Sequence, residues 1–154
     1  MGSLVCEPIK LRPSYKDYLW GGSKLRIEYG KTDAPEICAE SWELSANPDG
    51  RSLTEGGFTL DDLQEFWGTD CTTEFPILVK LIDARDKLSI QVHPSDQTAI
   101  EGEHGKAEMW YVVEAEPQAY LYFGFSKEIS KEDFVIKAVD YYSKHLKQRE
   151  MGGR

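Results

Sequence analysis

Gln91-Val92-His93 and Glu108 carry the side chains of this sequence best suited to holding a cation. In a strand, side chains two residues apart point to the same face. The Gln91 oxygen and a His93 nitrogen then converge while Val92 turns away. Glu108 opens a later apolar run, in which Trp110 and Val112 would share its face. If the two runs lie side by side or face each other, an amide oxygen, an imidazole and a carboxylate meet around one ion. Mixed nitrogen and oxygen ligation of this kind suits Zn²⁺, with Mn²⁺, Co²⁺ or Fe²⁺ as alternatives. A satisfied Gln–His pair and a solvated strand-edge glutamate are the plainer readings, and the residues alone leave them open.

Positioning these groups is a task for strands. Phe75 to Ile82 is an apolar, β-branched run that ends at the charged turn Asp83-Ala84-Arg85-Asp86-Lys87. Leu88 to His93 reads as the next strand, stopped by Pro94. Glu108 to Val113 and Ala119 to Phe125 follow, with Glu116-Pro117-Gln118 turning between them. Short strands separated by turns predict an antiparallel sandwich or barrel rather than βαβ units. The first fifty residues are rich in turn formers, and Ser41 to Ser45 alternates as a half-buried strand does. Residues 59–67 predict a short helix with Thr59 as N-cap, acids in the first turn and Gly68 beyond its end. A second helix is expected from Ser130, with Asp133 reaching back and Phe134, Ala138, Tyr141, Tyr142 and Leu146 along one side.

Composition narrows the class. A chain of 154 residues is most simply one domain, and 40% hydrophobic with 29% charged residues describes a soluble globular protein. A net charge of −9 opposes nonspecific nucleic-acid binding, which depends on neutralising phosphates. A phosphorylated ligand would need a local cluster of cations against that background. No apolar stretch is long enough to cross a bilayer, and Met1 to Lys10 lacks the apolar core of a secretory signal. The opening Met-Gly does not make a myristoylation site, because Cys6 stands where Ser or Thr is wanted. Cys6, Cys38 and Cys71 are odd in number and widely spaced, so free thiols in a reducing cytoplasm are expected.

The string Phe75-Pro76-Ile77-Leu78-Val79-Lys80-Leu81-Ile82-Asp83-Ala84, followed by Leu88-Ser89-Ile90-Gln91-Val92-His93-Pro94, resembles the signature of type I phosphomannose isomerases. Gly105-Lys106-Ala107-Glu108-Met109-Trp110-Tyr111 looks like that family's next block. Trp20-Gly21-Gly22 and Glu40-Ser41-Trp42-Glu43-Leu44-Ser45 are similar to its N-terminal motifs. The resemblance runs from about Leu11 to Ser130, with the motifs in family order. It implies a mainly β fold: a partial cupin-type (jelly-roll) antiparallel barrel over 1–135, then a divergent helical tail over 136–154.

It further implies a metal-dependent aldose–ketose isomerase that interconverts mannose 6-phosphate and fructose 6-phosphate, with one Zn²⁺ held by Gln91, His93 and Glu108. Lys106 matches an active-site lysine of the family, fit to contact substrate or handle a proton. Lys80 and Ser89 match residues lining the pocket, offering a cation and a hydroxyl to the sugar phosphate, and Trp20 matches an apolar wall.

The same resemblance implies a fourth ligand, a second histidine, and a catalytic arginine that the family carries further downstream. Family character ends near Val135, so the chain reads as the N-terminal, metal-binding part, truncated, with the C-terminal half missing. His145, among Lys144, Lys147 and Arg149, reads as a helix-surface residue, and His104 as a loop residue. An incomplete barrel has open edges, which the tail or self-association would cover. The alternative to an active isomerase is a catalytically dead truncated cupin that binds metal or sugar phosphate only.

Overall fold

The structure, a computed structural model, describes residues 8–66 and 75–137. Cys6, Trp67, Gly68, Cys71, His145 and the tail beyond 137 lie outside the described residues. The chain divides into two compact units between Ser89 and Ile90.

The first unit is antiparallel β. Strands β1 (Leu11–Arg12) and β4 (Leu53–Thr54) pair as one ribbon. Strands β2 (Ser14–Lys16), β3 (Glu40–Leu44) and β5 (Val79–Ile82) form a sheet in the order β2-β3-β5. Among the described residues these sheets close no barrel. Apolar, β-branched sequence starts at Phe75, yet β5 begins only at Val79. Val79 pairs with Leu44, the last residue of β3, so the residues before it have no backbone on β3 to bond.

Pleating sorts the two faces of this sheet. Tyr15, Ser41 and Leu81 share one row of the register. Tyr15 and Leu81 pack against Leu25, Ala34 and Cys38, the buried apolar cluster. The centre is filled by small side chains: Cys38, Ser41, Ser45 and Ser52 are fully buried. Buried hydroxyls need partners, and they have them. Ser52 donates to the Trp42 carbonyl at 2.9 Å, Ser41 donates to Glu43 at 2.5 Å, and Ser45 accepts from the Asn47 N–H at 3.2 Å. The opposite row carries Glu40 and Trp42, flanked by Ser14, Lys16 and Lys80.

The Trp20-Gly21-Gly22 motif ties the loop before the short helix α1 (Lys24–Ile27) to this sheet. Gly22 donates to the Asp83 carbonyl and accepts from Cys38, while the Trp20 carbonyl accepts from Arg85. A Cβ on Gly21 would lie 2.6 Å from the Ala39 Cα, and one on Gly22 would lie 2.6 Å from an Asp83 carboxylate oxygen. Backbone leaves no room for a side chain at Gly21, whereas at Gly22 the Asp83 carboxylate would have to turn aside. That carboxylate accepts the Lys24 N–H at 2.7 Å.

Helix α2 (Leu60–Phe66) starts as its sequence predicts. The Thr59 hydroxyl accepts the Asp62 N–H at 3.1 Å, and the Asp62 carboxylate accepts the Thr59 N–H at 2.7 Å. This is a reciprocal capping box, and Thr59 holds the Asp62 carboxyl below the usual carboxylate range.

Beyond β5 the chain departs from the sequence pattern. The runs expected as strands, Leu88–His93, Glu108–Val113 and Ala119–Phe125, form none. A strand exists only where a neighbouring backbone takes its N–H and C=O groups. No ladder of backbone bonds joins these runs among the described residues. Side chains of both parities stand in solvent there. Met109 is 92% exposed and Phe123 fully so, with Trp110, Tyr111, Val112 and Val113 also exposed. Residues 131–137 are helical, and the Ser130 hydroxyl accepts the Asp133 N–H at 3.1 Å.

Candidate metal centre

The second unit brings His93, Lys106 and Glu108 together. The local device is a loop that leaves His93 and returns thirteen residues later. Ser95 opens it with a turn, its carbonyl accepting from Thr98 and Ala99. The Lys106 N–H then donates to the Pro94 carbonyl at 3.0 Å, and the Gly105 N–H donates to the Asp96 carboxylate at 2.8 Å. Gly105 has to be glycine, because a Cβ there would lie 2.6 Å from the Ser95 carbonyl carbon. Closing the loop sets Pro94, Ser95 and Asp96 against Gly105 and Lys106.

The His93 Nε2 lies 3.2 Å from Glu108 Oε1. The Lys106 Nζ lies 2.8 Å from that oxygen and 3.4 Å from that nitrogen. Burial pushes the Glu108 carboxyl up, but the hydrogen bond and charge of Lys106, with His93 and the Trp110 indole, outweigh it. The group is held below its usual range. Glu108 is thus kept as a carboxylate, the form a metal takes.

The pair fits one ion. Two ligands at tetrahedral angles on Zn²⁺, with bonds of about 2.0–2.1 Å, are about 3.3 Å apart. His93 and Glu108 already have that spacing. Among the described residues no group of three His, Cys, Asp or Glu side chains converges, so a third donor from among them would be of another type, such as an amide. Gln91 is of that type. It stands two residues before His93 on the same irregular run and makes a polar interaction of its own. His104 is exposed in the loop.

The other sequence-chosen residues belong to the first unit. Lys80 on β5 bonds Glu40 at 3.2 Å and lies over the Trp42 ring, 4.9 Å from its centroid. Trp20 stacks on Tyr18 with centroids 5.6 Å apart. Ser89 is exposed and has a polar interaction. Sequence reasoning missed Glu40, whose Oε2 also accepts the Trp42 indole N–H at 2.6 Å. Its position two residues before Trp42, on the same strand face, was the available signal. It missed Gly105 as well, whose role depends on contacts nine and ten residues away.

The family model for the catalytic domain of phosphomannose isomerase type I matches residues 9–121. The chain is 38% identical to a mannose-6-phosphate isomerase of Streptococcus mutans, over 89% of this chain and 47% of that protein. It is 33% identical to mannose-6-phosphate isomerase ManA of Bacillus subtilis, over 84% of this chain and 44% of that one. The crystal structure of a Bacillus subtilis mannose 6-phosphate isomerase superposes with a TM-score of 0.52 at 39% identity, over 58% of this chain and 31% of that chain. The chain therefore spans about half the length of the curated relatives it matches.

Proposed function

Because this chain belongs to the type I phosphomannose isomerase family, we propose that it is a zinc-dependent isomerase of mannose 6-phosphate and fructose 6-phosphate. The observation that carries this is the His93–Glu108 pair, at metal-ligand spacing with Lys106 beside it. Gln91, His93 and Glu108 would hold the ion, whose chemistry is to stabilise negative charge on sugar oxygens. Aldose–ketose isomerisation moves a proton between adjacent carbons. Lys106 supplies an amine next to the metal ligands that can hold or pass one. The family resemblance alone makes Lys80, Ser89 and Trp20 further candidates for substrate contact, as a cation, a hydroxyl and an apolar wall. A cytoplasmic setting accords with a phosphorylated substrate and a free Cys38 thiol. No helix among the described residues is long and apolar enough to cross a membrane.

The test is turnover. Protein stripped of metal and resupplied with Zn²⁺ is expected to convert mannose 6-phosphate to fructose 6-phosphate, and His93→Ala to abolish it. Absence of turnover at high protein concentration would count against an active chain.

A second reading is favoured by the apolar stretches 109–113 and 120–125, where both side-chain parities are exposed. In it the chain is a catalytically silent cupin that binds metal or sugar phosphate only. Its mark is sugar-phosphate binding without turnover, unaffected by Lys106→Ala. The same exposed stretches would drive self-association, which sedimentation across a concentration series would register as a rising mass.

A further inference from the structure

We propose that Lys106 is a built-in stand-in for the metal, its ammonium holding the electron pairs of His93 and Glu108 that the ion would take. The ion then enters only by displacing it. This rests on the reading of those two residues as ligands. The three atoms form a nearly equilateral triangle, with sides of 2.8, 3.2 and 3.4 Å. The ammonium therefore straddles the pair rather than touching one member.

Two features make the occupants exclusive. An ammonium only donates, so its contact with His93 is a hydrogen bond when Nε2 carries no proton. That is also the tautomer which ligates a metal through Nε2, and the ring nitrogen has one lone pair to give. The occupants are also both cations on one carboxylate oxygen, and side by side they would repel.

The ligand spacing is already that of a metal site, so exchange alters the occupant and not the frame. Lys106 is 46% exposed along its side chain, which leaves it a path outward. Displaced, its amine stays tethered two residues from Glu108. An arriving ion would thereby release the amine that the isomerase reading needs.

The test is zinc affinity measured by chelator competition, without reference to turnover. Lys106→Met is expected to tighten Zn²⁺ binding about tenfold, the scale of one charge-assisted hydrogen bond. Lys106→Gln is expected to do the same. Lys127→Met, which removes an exposed charge elsewhere in the same unit, should change affinity little.

Unchanged affinity in both Lys106 variants would overturn the proposal. An equal gain in Lys127→Met would overturn it too, since net charge would then be the cause. His93→Ala separates the underlying reading. If wild type binds no zinc, or binds it equally well without His93, the ligand assignment falls and the stand-in with it. If binding depends on His93 and ignores Lys106, only the stand-in falls.

Discussion

A Cβ on Gly105 would lie 2.6 Å from the carbonyl carbon of Ser95, so the loop that closes the candidate metal centre closes only on glycine. Gly105→Ala should push Lys106 and Glu108 away from His93. We expect Zn²⁺ affinity to fall by about tenfold or more, because ligand placement and not ligand identity is lost. Chelator competition on the purified variant checks this, and an unaltered affinity would show that the loop does not position the ligands.

Gly22 performs the same service in the first unit, where a Cβ would meet the Asp83 carboxylate at 2.6 Å. Gly22→Ala is expected to cost about 1–3 kcal/mol, the usual scale of overpacking. The Lys24 N–H would lose its carboxylate acceptor in the process. Urea unfolding of the variant beside wild type gives the number.

Glu40 satisfies the Trp42 indole at 2.6 Å and Lys80 at 3.2 Å with one oxygen. Glu40→Ala would leave a buried N–H and a half-buried ammonium without that acceptor, an expected loss of about 2–4 kcal/mol. Glu40→Gln keeps an acceptor and should lose less. If Glu40→Ala unfolds at the same urea concentration as wild type, the carboxylate and its bonds do not hold this face together.

The Tyr15 hydroxyl donates to the Asp33 carboxylate at 2.7 Å. That bond holds the Asp33 carboxyl below its usual range. Burial first, and Asp33 second, push the Tyr15 hydroxyl above its own. The depressed Asp33 stabilises the fold above its unfolded value, near pH 4, and that contribution is lost as pH falls through the folded value. The raised Tyr15 stabilises below about pH 10 and loses its contribution as pH climbs through the folded value. Tyr15→Phe should therefore flatten the decline in stability at both ends. Carbon NMR should show Asp33 titrating at a higher pH in the variant; no movement would mean the hydroxyl is not the cause.

Much of this was legible along the chain. The capping box at Thr59 and Asp62 and the cap at Ser130 involve residues three apart, so their chemistry is written locally. β3 was legible from the alternation around Trp42. His93 and Glu108 were legible as donors from their types and motifs, and Lys106 from its place beside Glu108. The runs 88–93, 108–113 and 119–125 were not legible in the same way. Apolar, β-branched composition suits a strand, but pairing needs a second backbone that no local pattern contains.

The sequence by itself determined which side chains could bind a cation, which family the motifs belong to, and where helices begin. These depend on residue type and on neighbours within a few positions. Tertiary structure alone decided that Lys106 straddles His93 and Glu108, that Gly105 makes room for Ser95, and that Glu40 joins Trp42 to Lys80. Each of these is set by atoms brought together from distant positions, and a distance of 3 Å between them is a property of the folded path and not of spacing along the chain.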